Sequence, residues 1–97
     1  MGLWNWLTGA SRTRVVAQVQ LAPGQKLTLR GQGAGLQWGE GASMKQRGLG
    51  TWVWETRATV PTDCEFKVLI NDQTYEEGPN HRLFHGETCT IRPQFPG

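Results

Sequence analysis

The sequence predicts an all-β chain, an immunoglobulin-like antiparallel β-sandwich of seven or eight short strands. Three observations predict it. Apolar and polar residues alternate in run after run, the period-two signature of a strand with one buried face. Turn residues recur at roughly 8–12-residue spacing. No stretch of the body carries the 3.6-residue apolar period of a helix. The 97 residues suffice for one domain with a modest core, and not for a deep enclosed cleft with the scaffold to hold it. The expected organisation is an apolar N-terminal tail, residues 1–12, and a single domain, residues 13–97.

Along the chain, Val15, Ala17, Val19 and Leu21 share one face, and Ala22-Pro23-Gly24-Gln25 reads as a turn. Leu27 and Leu29 then alternate with Lys26, Thr28 and Arg30, so the two runs read together as a β-hairpin. Residues 31–41, GQGAGLQWGEG, form a Gly-rich loop expected to present Leu36 and Trp38. They lack the GxxxxGK[ST] pattern and the following helix that a phosphate loop needs. Residues 42–47 read as a short strand or edge, and Gly48-Leu49-Gly50 as a turn. The strongest strand pattern spans 51–60, with Trp52, Trp54, Ala58 and Val60 on its inward face. After the Pro61-Thr62-Asp63 turn, Phe66, Val68 and Ile70 point in while Lys67 and Leu69 point away. Asn71-Asp72-Gln73 reads as a tight hairpin turn, 74–77 as a return strand broken by Gly78-Pro79-Asn80, and 82–84 as a short extended piece. His85-Gly86-Glu87 turns into a last strand, 88–92, with Cys89 and Ile91 inward.

Composition narrows the function. The net charge of +2 comes from basic residues scattered along the chain, so the sequence shows no basic run and nucleic acid is not an expected partner. No apolar run approaches the ~18–20 residues that cross a membrane. Met1 to Leu7 lacks the basic start and long apolar core of a secretory signal, so a cytoplasmic setting is the expectation. There Cys64 and Cys89 would be two reduced thiols rather than a disulfide. They do not combine with His81 and His85 into a metal spacing, and no cofactor or metal is expected. No nucleophile motif or carboxylate pair appears; Glu76 and Glu77 are adjacent and would face opposite sides of a strand, so the chain reads as non-enzymatic. Leu3, Trp4, Trp6 and Leu7 make a short apolar start that would dock on the domain, on a protein partner or on a membrane surface; of the outside partners a protein is preferred to a membrane.

Five Trp stand against one Tyr and three Phe. Some of those rings suit a binding surface. Sugar rings have apolar C–H faces that a flat aromatic ring covers, and their rim hydroxyls need Asn, Gln, Glu or Lys partners. Trp38 on the Gly-rich loop, and Tyr75 with Asn80 further on, supply those types. Trp52 and Trp54 sit on a strongly alternating strand and read as core.

The order of parts then becomes specific. A strand ending in Arg30-Gly31 precedes a loop with Leu36 and Trp38; a Trp-bearing strand, a Pro turn, Phe66-Lys67-Val68 and Tyr75-Glu76-Glu77-Gly78-Pro79-Asn80 follow. Over about Val15 to Ile91 the chain resembles the starch-binding domains of carbohydrate-binding module family 20 and the related glycogen-binding modules. That resemblance implies a non-catalytic module for starch, glycogen or maltooligosaccharide. It implies Trp38 and Tyr75 as stacking platforms, Tyr75 standing where the family has Trp, with Lys67, Glu76 and Asn80 as polar clamps. The second reading, of another class, is a protein-interaction sandwich that has lost sugar binding and docks through Trp4 and Trp6.

Overall fold

A computed structural model describes residues 12–97, so the expected apolar tail lies outside the described residues apart from Arg12. The strands in chain order are β1 (Thr13–Gln18), β2 (Leu27–Gln32), β3 (Ala42–Ser43), β4 (Lys45–Gln46), β5 (Thr51–Thr56), β6 (Glu65–Ile70), β7 (Thr74–Tyr75), β8 (His81–Arg82) and β9 (Thr88–Ile91). They form an all-β sandwich of nine strands rather than seven or eight. The first sheet runs β4-β5-β1-β9; the second runs β3-β2-β6-β7, with β8 also paired to β6. Every named pairing is antiparallel except that of β9 with β1.

The alternation of the strands builds the core between the sheets. Val15 and Ala17 of β1 meet Trp54 and Trp52 of β5 across the first ladder, and Cys89 and Ile91 of β9 on the other side. Facing them, Leu27 and Leu29 of β2 stand beside Ile70 and Val68 of β6. Val15, Ala17, Leu27, Leu29, Phe66 and Val68 have no exposed surface; Val19, Trp54 and Ile70 pack against them half-buried. Burying one such Leu or Phe contributes ~1.5–3 kcal/mol.

Four expectations are corrected by the fold. Residues 15–21 and 26–30 do not form a hairpin: β1 lies in the first sheet and β2 in the second. Each strand has one apolar face, and residues 19–26 carry the chain across the ~10 Å between layers so that the two faces meet. Residues 42–47 likewise divide into β3 on the second sheet and β4 on the first, with buried Met44 at the crossing. The strand expected at 51–60 ends at Thr56, because its partner β1 begins at Thr13 and Thr13 pairs with Thr56. Beyond that point Ala58 N–H bonds Thr56 Oγ1 at 3.0 Å and Ala58 is exposed, while Val60 returns to the core. The return strand expected at 74–77 shortens to β7. Leu69 faces away from the inter-sheet core as expected, yet has no exposed surface, so the outer side of the second sheet is covered there.

The turn chemistry is as read. Gln73 N–H closes onto Ile70 C=O at 3.0 Å with Asn71 and Asp72 at φ 54° and 56°. That is the type I′ pattern, which matches strand twist and which Asn and Asp tolerate. Asn71 is further pinned by Lys26, whose N–H bonds Asn71 Oδ1 at 2.9 Å.

Candidate functional site

The outer face of the second sheet gathers most of the residues singled out from the sequence. In the β2–β6 ladder Arg30 stands opposite Lys67 and Thr28 opposite Leu69; Leu69 in turn stands opposite Tyr75 of β7. Opposed residues share a face, so Arg30, Lys67, Leu69 and Tyr75 form one outward patch. Glu65 continues it toward β8, opposite Gln32 and Arg82.

Trp38 reaches this patch because of how the Gly-rich loop folds. Gly33, Ala34 and Gly35 all take positive φ, and the Leu36 N–H closes onto the Gly33 carbonyl at 3.0 Å. The tight bend drives Leu36 into the core, 8% exposed, so the loop presents Trp38 and not Leu36. Trp38 is half-buried; its carbonyl accepts from Arg30 Nη1 at 3.0 Å and its indole N–H points to Gln32 Oε1 at 3.4 Å.

Arg30 is the hub that the sequence reading passed over. Its guanidinium bonds Asp72 Oδ1 at 2.9 Å and Oδ2 at 3.1 Å, holds the Trp38 carbonyl, and lies 5.9 Å from the centre of the Tyr75 ring. One cation therefore ties the Trp38 loop to the β6–β7 turn and sits over the Tyr75 ring, an arrangement favoured by the ring quadrupole. Asp72 completes the knot by accepting from Thr28 Oγ1 at 2.9 Å and from Gly41 N–H at 3.3 Å. Strand alternation reveals that Arg30 faces outward; it cannot reveal which turn lies opposite it.

The polar rim is equally specific. Lys67 Nζ donates to the Gly78 carbonyl at 2.6 Å, and Asn80 Nδ2 donates to Glu65 Oε1 at 3.0 Å. Tyr75 is 43% exposed between them and Arg30. Trp38, Lys67, Tyr75 and Asn80 are thus brought together, with Arg30 and Glu65 as members missed from sequence.

Glu76 is not brought to this face. It is 3% exposed, its carboxylate accepts the Val68 N–H at 2.9 Å, and His81 Nε2 lies 2.8 and 2.9 Å from its two oxygens. Glu76 N–H also bonds the Val68 carbonyl at 3.0 Å. The His81 ring stacks obliquely on Phe66, centroids 5.0 Å apart. Glu76 braces β6 against β8 from within and has no free oxygen for a surface ligand. The reason is positional: Tyr75 faces out, so the next residue faces in.

The network makes a pH prediction. Beside the Arg30 guanidinium, the Asp72 carboxyl is held down to about 2, against about 3.9 in an unfolded chain. A lowered folded-state value stabilises fully above about pH 4, and that contribution is lost as pH falls toward 2. Asp72→Asn is expected to lower stability by on the order of 1 kcal/mol at pH 7, the pair being partly solvent-screened. The deficit should vanish by about pH 2. Urea unfolding across that range checks it; a deficit that persists unchanged in acid would show that the carboxylate charge is not what Asp72 supplies.

The larger hollows lie elsewhere: one of about 420 Å³ beside the 20–25 connection, lined by Leu21, Leu49 and Trp52, and another of similar size near Ile70 and Phe95. The Trp38–Tyr75 face is by contrast open sheet surface. Among the described residues no group of His, Cys, Asp and Glu could hold a metal, and no helix is long and apolar enough to cross a membrane. Cys64 and Cys89 are not bonded to each other, and burial pushes both thiols above the ordinary thiol range. No family model, curated protein or solved structure matches the chain.

Proposed function

We propose that the outer face of the second sheet binds a starch- or glycogen-type α-glucan without chemistry, its rings covering sugar C–H faces and its rim bonding the hydroxyls. The observation that carries this reading is the convergence of Trp38 and Tyr75 with Lys67 and Asn80 on one open face, from four separate places in the chain. The order of motifs from Arg30-Gly31 through Phe66-Lys67-Val68 to Tyr75–Asn80, which resembles that of starch- and glycogen-binding modules, supports the choice of α-glucan. Arg30 fixes the Trp38 loop relative to the Tyr75 ring, so the platform is largely formed before ligand arrives, which lowers the ordering cost of binding. The face is shallow, as a single small domain requires. A cytoplasmic setting goes with this reading and is supported by the two unbonded thiols.

Titrating ¹⁵N-labelled protein with maltoheptaose or β-cyclodextrin tests it. The expected result is saturable shifts at the Trp38 indole and along residues 67 and 75–80. Trp38→Ala is expected to weaken binding at least about tenfold, the ~1.4 kcal/mol of one aromatic anchor. A flat titration at millimolar sugar would reject the reading and turn attention to Trp4 and Trp6 as a protein-docking segment.

A further inference from the structure

Phe84 is an exposed ring, 53% open to solvent, that the Trp38–Tyr75 site does not use. In the β6–β8 ladder Arg82 stands opposite Glu65, and the Leu83 N–H donates to the Cys64 carbonyl at 3.1 Å, so the pairing runs on past β8. Leu83 is fully buried, so its neighbours Arg82 and Phe84 face outward, on the side of the sheet that carries Glu65 and Lys67. Both β7 and β8 pair with the same edge of β6, since β2 fills the other. Tyr75, opposite Leu69, and Phe84, past Arg82, therefore stand toward opposite ends of one outer face. Leu69 and Glu65, four residues apart on β6, are already ~13 Å apart at the rise of a strand, and Phe84 lies beyond Glu65.

A lone exposed ring is ordinary on a protein surface. Phe84 is set apart by what holds it. The Arg82 guanidinium lies 5.7 Å from the centre of its ring, as Arg30 lies 5.9 Å from that of Tyr75. Arg82 Nη2 donates to the Thr62 carbonyl at 2.7 Å, as Arg30 Nη1 donates to the Trp38 carbonyl. Each arginine thus ties an exposed ring to a neighbouring loop. Gln32 joins the two halves: its Oε1 faces the Trp38 indole N–H at 3.4 Å, and its Nε2 donates to the Asp63 carbonyl at 2.9 Å, next to Thr62. Between the rings, Glu65 Oε1 accepts from Asn80 Nδ2, and its second oxygen together with the remaining Arg82 N–H groups suits sugar hydroxyls. A flat ring among charged groups fits the C–H face of a sugar better than it fits an apolar protein surface.

We propose that Phe84, with Arg82 and Glu65 at its rim, is a further stacking subsite at the far end of the glucan face, so that the face selects linear α-glucan chains long enough to reach from Tyr75 past Trp38 to Phe84. This rests on the glucan reading of Trp38 and Tyr75 and adds a length requirement to it. The span exceeds a disaccharide and lies within the reach of maltoheptaose. A chain already held at Trp38 meets Phe84 as an intramolecular contact, so the second ring adds affinity without a second cost of association.

Titrating the ¹⁵N-labelled full chain with maltose and with maltoheptaose tests it. Maltoheptaose is expected to shift the Trp38 indole and the backbone of residues 82–85 with one common midpoint, and to bind at least about tenfold tighter than maltose. Phe84→Ala, a change at an exposed position, should keep the melting temperature and the maltose affinity at Trp38 while losing most of that tenfold gain. If maltoheptaose moves Trp38 and Tyr75 but leaves 82–85 still, the subsite is overturned and the glucan reading stands. The same holds if Phe84→Ala binds maltoheptaose like the parent, or if 82–85 respond with a midpoint of their own, which would make Phe84 a separate site. If neither sugar moves Trp38, the glucan reading fails and takes the subsite with it.

Discussion

Replacing Glu76 by Ala is expected to cost about 3 kcal/mol, a loss of roughly 10–20 °C in melting temperature for a domain of this size. Glu76 is the one charged side chain buried among the described residues, and every contact it makes is internal. Truncation strands the Val68 N–H without its acceptor on a strand with no exposure at that position, and strands the His81 ring as well. A buried donor left unpaired costs ~1–3 kcal/mol, and the vacated volume adds to it. Glu76→Gln should recover more than half of the loss, because its carbonyl oxygen can still accept from Val68 and its amide still stands beside the His81 ring. Thermal melts of the two variants decide the matter. If Ala and Gln melt together, hydrogen bonding is not what Glu76 contributes; if Ala melts with the parent, the residue has no bracing role. Since Glu76 follows Tyr75 directly, its loss should also blur the glucan face, visible as broadened resonances from 67 and 75–80.

Gly31→Ala is expected to be as damaging, about 3 kcal/mol or more, for a purely steric reason. Gly31 pairs with Phe66 in the β2–β6 ladder, and a Cβ there would collide with the Glu65 carbonyl oxygen and stand 3.0 Å from both Phe66 Cα and Phe66 Cβ. Those are backbone atoms and the root of a fully buried ring, so no flexible end can swing aside. Strand β2 would have to part from β6, the pairing that sets Arg30 beside Lys67. The variant should therefore lose stability and sugar binding together, whereas Trp38→Ala should lose binding alone. Calorimetry with a maltoheptaose titration separates the two. A Gly31→Ala protein that melts within about 2 °C of the parent would mean the two strands can separate at no cost.

Much of this molecule was legible from residue order, and the boundary is physical. Alternation is a local rule: side chains of a strand point to opposite faces whatever lies beyond. It placed Val15, Ala17, Leu27, Leu29, Phe66 and Val68 in the core, and turned Lys67 outward. Turn chemistry is local too, and Asn71-Asp72 takes the backbone that only a few residue types accept. The sequence by itself therefore determined that the chain is an all-β sandwich and where most of it bends.

What the tertiary structure alone decided is which strand lies beside which. Whether 19–26 makes a hairpin or crosses between layers is settled by where the apolar faces of β1 and β2 find partners, a choice spread over the whole core. Leu36 is drawn inward by the same competition for buried volume, and Trp38 is left on the surface as a result. Arg30 becomes the centre of the candidate site because the β6–β7 turn closes over it. Arg14 meets Glu55 only because β1 and β5 are neighbours. Each of these is a contact between residues far apart in the chain, fixed by the free energy of the assembled core and by no property of the segments taken singly.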